Sequence, residues 1–224
     1  TQDDIEHPIA LATNDLLLVG MPVYAGRIPA LAAERLKNIS GKQTPAVLVV
    51  VYGNRAYDDA LLELQDIVMG NGFSPISAGA FIAQHSIFPK VGITRPDRAD
   101  CEIINNFATK SAKILEELPD IFPVKPLPVK GNRPYKTPGN IPLVPQGNSK
   151  CNECGSCVRL CPGGAIPAES PRKTDRDKCM ACGRCIVICP HRARHFGGFL
   201  YWMAGRKFVK ANSARKEAEV FFQH

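Results

Sequence analysis

Eight cysteines constrain this chain more than any other feature. Cys151, Cys154, Cys157 and Cys161 followed by Pro162, and Cys179, Cys182, Cys185 and Cys189 followed by Pro190, are two copies of the spacing C-x2-C-x2-C-x3-C-P. A disulfide scaffold would need an export leader and an oxidising compartment. It would not usually place four cysteines within eleven residues twice over. Structural zinc sites of the ribbon type pair two C-x2-C knuckles across a longer gap, which would leave Cys157, Cys161, Cys185 and Cys189 unemployed.

The rest of the chain has the balance of a water-soluble globular protein, with 45% of its 224 residues apolar and 22% charged. Its longest apolar runs, Leu16 to Val19 and Ala46 to Val51, fall far short of the roughly 20 residues that cross a bilayer. No transmembrane segment or leader is expected, and the location implied is cytoplasmic. Eight prolines between Pro119 and Pro145 exclude helix and interior strand. They mark residues 122–148 as an extended connector between a first domain at 1–121 and a second at 149–198, with a basic amphipathic tail at 199–224.

In the first domain, Asp15 to Gly20, Pro45 to Val51 and Ile76 to Ala83 are short, apolar and rich in β-branched residues, as befits strands buried on both faces of a parallel sheet. Pro29 to Lys37, Tyr57 to Met69 and Asp100 to Leu118 carry helical spacing. Asp58 and Asp59 are placed where a helix N-terminus favours negative charge. The alternation predicts a doubly wound α/β sheet, whose ligands sit beyond the carboxyl ends of the strands.

The cysteine runs resemble those of bacterial two-cluster ferredoxins. That resemblance implies a small α+β domain with two [4Fe-4S] clusters. Cys151, Cys154, Cys157 and Cys189 would hold one cluster and Cys179, Cys182, Cys185 and Cys161 the other, each fourth cysteine crossing to its neighbour's cluster. Gly155 and Gly183 occupy equivalent places, where free φ lets backbone N–H groups turn toward sulfur.

Two loops after strands, Met21 to Pro29 and Tyr52 to Asp58, each offer an aromatic ring, a glycine and polar groups suited to a flat heterocycle. With their Pro-Val-Tyr-Ala-Gly-Arg-Ile-Pro and Val-Tyr-Gly-Asn-Arg runs, they resemble proteins of bacteria and archaea that fuse a flavodoxin-like domain to a two-cluster ferredoxin. By that resemblance FMN is the cofactor of the first domain and Tyr24, Ala25, Gly26, Arg27, Tyr52, Gly53, Asn54, Tyr57 and Asp58 line it. Tyr24 would stack on the ring, and Ala25 and Gly26 would face N5. The plain alternative is that Tyr24 and Tyr57 cap strand ends and Arg27 and Arg55 are solvated. No phosphate-cradling strand and loop precede Asp15, so the flavodoxin-like sheet is expected to be incomplete, truncated or completed by another chain. Its first strand would show an unpaired apolar edge, and FMN affinity would be weak.

Residues 149–224 carry 14 Lys and Arg against 6 Asp and Glu. Two clusters with their thiolates would offset about four of those charges, and no nucleic-acid reader motif accompanies the rest, so nucleic acid is not expected as a partner. The basic tail suits an anionic membrane surface or an acidic redox partner, or is a C-terminal helix with solvated charges. Cys101 reads as a partly buried structural thiol, and His85, His191 and His195 lack ligand spacing. The function expected is electron transfer through two [4Fe-4S] clusters with a flavin or a flavin-dependent partner, in exchange with redox partner proteins. The alternative is a flavin-dependent oxidoreductase on a small molecule with the clusters as relay, for which Tyr24, His85 and Asp58 are the candidate acid or base groups. Self-association is left open.

Overall fold

The apolar runs expected as strands pair in parallel. The computed structural model describes residues 8–119, 125–139 and 141–223. In chain order its elements are β1 (Ile9–Ala10), β2 (Leu17–Pro22), α1 (Ala30–Leu36), β3 (Ile39–Ser40), β4 (Thr44–Tyr52), α2 (Ala60–Gly70), β5 (Phe73–Ile82) and α3 (Arg98–Glu116). There follow β6 (Gln146–Gly147), α4 (Ser156–Arg159), α5 (Arg184–Val187), β7 (Arg194–His195), α6 (Phe199–Asn212) and β8 (Glu219–Phe222). The chain divides into two units. One takes residues up to 84, 92–138 and 215 onward; the other takes 85–91 and 139–214. The boundary expected at 121/122 lies outside the described residues.

The first unit is a mixed α/β layer structure. Its main sheet has the order β2-β4-β5-β8, parallel through the first three strands, with Leu17 opposite Ala46 and Val47 opposite Ser77. Because side chains alternate across a strand, the sheet buries two faces. Leu48, Val50, Ala78 and Ala80 pack with Leu61, Leu64 and Val68 of α2 on one side. Val47, Ile76 and Phe81 pack with Phe107 of α3 on the other. Leu61, Leu64 and Val68 are fully buried, and each stabilises by about 1.5–3 kcal/mol. Among the described residues β2 ends the sheet on one side, and on the face opposite Leu17 and Val19 it leaves Leu18 67% exposed.

Two parts of this unit depart from the expectations. The basic tail at 199–224 is not one element: after α6 the chain returns as β8, antiparallel to β5 with Phe222 opposite Ser77. The driving groups are the two phenylalanines, with Phe222 lying against Phe107 at 5.6 Å between ring centroids. The proline-rich stretch expected as a connector over 122–148 is divided instead: its residues 125–138 belong to the first unit and are fastened along α2, and its described residues from 139 onward belong to the second. Proline denies it a helix or strand ladder, so side chains supply the partners its peptide groups require. Leu127 is buried and its N–H donates to Gln65 Oε1 at 2.9 Å. The Asp59 carboxylate accepts the N–H groups of Asn132 at 2.8 Å and Lys136 at 2.7 Å, and Arg133 and Tyr135 both bond Asp66. At Gly131 any Cβ would press on Leu62 Cβ at 2.7 Å, so the segment approaches α2 too closely for a side chain there.

In the second unit, Ile87, Phe88 and Val91 join Ala181 and Phe196 in a small core backed by Tyr201 and Phe208 of α6. Phe88 stacks on Tyr201 with centroids 5.3 Å apart, and the Tyr201 hydroxyl donates to the Ile87 carbonyl at 3.0 Å. His85 holds this turn: its Nδ1 accepts the N–H groups of Ile87 and Phe88, both at 3.1 Å. Burial pushes its pKa from 6.5 down to about 4, so the ring is neutral in the folded chain. Between those two values the unfolded chain binds a proton that the folded chain does not, so stability rises with pH there and is lost as pH falls from about 6.5 toward about 4. The loss is on the order of 3 kcal/mol. Denaturant titrations at pH 7 and 5 are expected to show about 2 kcal/mol of it for the parent chain and a flatter profile for His85→Asn, which keeps an acceptor without the titration.

Candidate metal centre

The two cysteine repeats are offset by 28 residues, and the backbone repeats with them. Glu153 and Ala181, Gly155 and Gly183, and Gly164 and Arg192 are equivalent pairs that all have positive φ. Gly155 at 74° and Gly183 at 73° turn the chain into the four-residue helices α4 and α5. Beyond each run a backbone N–H meets the last sulfur: Ala165 N donates to Cys161 Sγ and Ala193 N to Cys189 Sγ, both at 3.3 Å. Ala181 N donates to Cys179 Sγ at 3.4 Å. Such donors stabilise negative charge on sulfur.

The cysteines gather in crossed sets. Cys151, Cys154, Cys157 and Cys189 line one cavity, of about 310 Å³ including its open mouth. Cys161, Cys179, Cys182 and Cys185 line a second, of about 350 Å³. Each cavity thus takes three cysteines from one repeat and the last cysteine of the other. Among the described residues no three His, Cys, Asp or Glu side chains converge on a point that would hold a single ion. A cavity lined by four cysteines suits a polynuclear group with its own core atoms. Burial pushes the thiols of Cys157, Cys179 and Cys185 up; these groups must lose their protons to act as ligands, so loading is favoured as pH rises.

Arg194 bears on both cavities. It is 2% exposed, lies on the first cavity's wall and acts electrostatically on Cys179 and Cys185 of the second. Its guanidinium donates to the carbonyls of Pro171 at 2.5 Å and Pro145 at 2.9 Å and to Thr174 Oγ1. Its Nε is buried without a hydrogen-bond partner. A cation so placed, with a donor to spare, fits an anionic group with sulfur acceptors. The basic surplus of the second half is therefore not all solvated, and residue counting does not single out Arg194. The one local signal is the repeat: Arg194 stands where the first copy has Ile166, itself buried.

The loop residues expected around a flavin are divided by the first unit. Tyr24 and Arg27 close a tight turn through Tyr24 N to Arg27 O at 2.9 Å and Arg27 N to Tyr24 O at 3.1 Å, with Ala25 and Gly26 at positive φ. Gly26 packs directly on the second loop: its carbonyl accepts Asp59 N–H at 3.1 Å, and a Cβ there would collide with the Asp58 carboxylate. Arg27 is not a solvated charge. It holds Glu63 with two bonds of 2.7 Å and lies over the Tyr135 ring at 4.6 Å. Asn54 is buried, and its Oδ1 accepts Lys216 N–H at 3.3 Å. Gly53 follows β4 directly and is half-buried.

Tyr52, Tyr57 and Asp58 do share a wall. With Lys130, Lys136 and Glu219 they line an open cavity of about 930 Å³. Burial pushes the Tyr57 hydroxyl up, and it donates to Glu219 Oε2 at 2.8 Å. Asp58 bonds Arg55 and Lys136 Nζ, and although burial opposes it, these cations hold its carboxyl below the usual range. A carboxylate so paired is a poor proton acceptor, which weighs against Asp58 as a catalytic base. His85 is committed to its turn in the second unit. Cys101 lies exposed in the first turn of α3, not partly buried as expected, because the inward face of that turn is taken by Asp100 and its bonds to Arg95.

Comparison with known families gives one assignment: residues 150–193 match the 4Fe-4S dicluster domain. No curated protein matches the chain. No helix among the described residues is long and apolar enough to cross a membrane.

Proposed function

We propose that the chain is a one-electron carrier with two [4Fe-4S] clusters, one held by Cys151, Cys154, Cys157 and Cys189 and the other by Cys161, Cys179, Cys182 and Cys185. The observation that carries this is the crossed lining of the two cavities, three cysteines from one repeat and one from the other, within a stretch that matches the dicluster family. When bound, such clusters supply reversible single-electron transfer. The chain's own groups do the rest. The amides of Ala165, Ala181 and Ala193 orient and stabilise thiolate sulfur, Arg194 holds positive charge beside it, and the core of Ile87, Phe88 and Phe196 braces the second repeat through Ala181 and Ile186. Redox partner proteins are the expected donors and acceptors. Anaerobic reconstitution with iron and sulfide is expected to load about eight of each per chain; a product with zinc and no sulfide would refute the assignment.

Electron exchange with a flavin is the second reading, favoured by the cavity that Tyr52, Tyr57 and Asp58 share in the first unit. Titration with FMN tests it: quenching of flavin fluorescence supports it, and no binding at about 100 μM flavin, already weaker than about 5.5 kcal/mol of affinity, removes it.

A further inference from the structure

The helix α6 has two faces, and among the described residues only one of them has a partner inside its unit. Tyr201, Ala204, Phe208 and Val209 turn toward Ile87, Phe88 and Phe196. The opposite face, at i, i+3, i+4, i+7, i+8 and i+11, presents Phe199, Trp202, Met203, Arg206, Lys207 and Lys210, all exposed. Its first turn is apolar, with Phe199 73% and Trp202 54% exposed, and its later turns are cationic. The rings of Phe199 and Trp202 stack with centroids 6.1 Å apart, and Arg206 lies over the Trp202 ring at 5.1 Å. No acidic residue occurs anywhere from Lys178 to Lys216, a stretch with nine Lys and Arg.

From this we infer that the outward face of α6 is a peripheral docking surface for an anionic lipid bilayer. With no acidic residue on the face or in the neighbouring sequence, its cations are complemented by a negatively charged surface. The shape of the face favours a bilayer over an acidic protein. The face is a convex helical ridge that offers aromatic rings and cations and no hydrogen-bond acceptor side chain. A fluid interface of acyl chains and phosphates accommodates that combination without a complementary groove, and Trp and Phe favour the headgroup boundary. Phe199, Trp202 and Met203 would enter the interface while Arg206, Lys207 and Lys210 contact headgroups. The inference does not depend on which metal group the cysteines hold.

The full chain tests it by co-sedimentation with phosphatidylcholine vesicles, either neutral or containing about 30% phosphatidylserine. Trp202 is the sole tryptophan, so a blue shift of its emission reports entry of this face. Binding to the anionic vesicles alone is expected, reversed by salt. The variant Arg206→Gln/Lys207→Gln/Lys210→Gln, changed only at exposed positions, is expected to partition on the order of 100-fold more weakly. Phe199→Ser/Trp202→Ser is expected to lose binding as well. Equal binding to neutral vesicles, undiminished binding by the triple variant, or capture by polyglutamate without any vesicle binding would overturn the inference, the last pointing to an acidic protein.

Discussion

Replacing Cys151 and Cys189 together by serine is expected to abolish one cluster and spare the other, leaving about four of eight irons after reconstitution. Replacing Cys179 and Cys189 together is expected to damage both and leave far fewer than four. The asymmetry follows from the cavity linings. Cys151 and Cys189 face one space although 38 positions separate them, whereas Cys179 and Cys189, in one repeat, face different spaces. If each repeat kept its own four cysteines, the two variants would exchange outcomes. Iron and sulfide content, with the spectrum of the surviving centre, therefore reads the pairing directly. A surviving centre in Cys179→Ser/Cys189→Ser alone would disprove the crossing.

The second large effect is expected at Arg194. Its guanidinium is buried among Pro145, Pro171 and Thr174 and has no carboxylate among its bonded partners. In the proposed holoprotein the anionic centres are its counter-charge. Arg194→Met would keep the volume and leave two buried carbonyls and a hydroxyl without their donor, costing about 3–5 kcal/mol. It would also make the reduction potential more negative, because a nearby cation favours the more negatively charged reduced state. Arg194→Lys, which keeps the charge but not the forked geometry, is expected to recover most of the potential and less of the stability. Denaturant midpoints and potentiometry separate the two parts. An Arg194→Met chain with parental potential and stability would leave the residue no electrostatic role.

Several elements are legible in the order of residues alone. The three parallel strands and the helices α1, α2 and α3 fall within a few residues of their expected positions, because burial on two faces and helical amphipathicity are written in periods of a few residues. Asp59 illustrates where that reasoning stops. Its place near the start of a helix is readable locally, yet its carboxylate serves the N–H groups of Asn132 and Lys136, partners over seventy residues away that no local pattern names. Arg27 is similar: its charge is visible in the sequence, but not its clamp on Glu63 or the Tyr135 ring beneath it. For the flavin loops, residue types suited to a heterocycle are apparent, while the direct packing of Gly26 on the second loop is not.

By itself, the sequence determined the repeated thiol spacing, the sites of the two short turns at Gly155 and Gly183, and the alternation of buried strand and amphipathic helix. All of these are local and periodic, and each is specified by neighbours a few residues apart. Tertiary structure alone decided that residues 125–138 lie along α2, that β8 returns to the edge of the first sheet, that residues 85–91 belong to the core behind the second repeat, and that Arg194 is buried. Each of those outcomes depends on which unsatisfied peptide group, apolar face or charge meets its partner across the chain, and that meeting is fixed only when burial makes the alternatives costly.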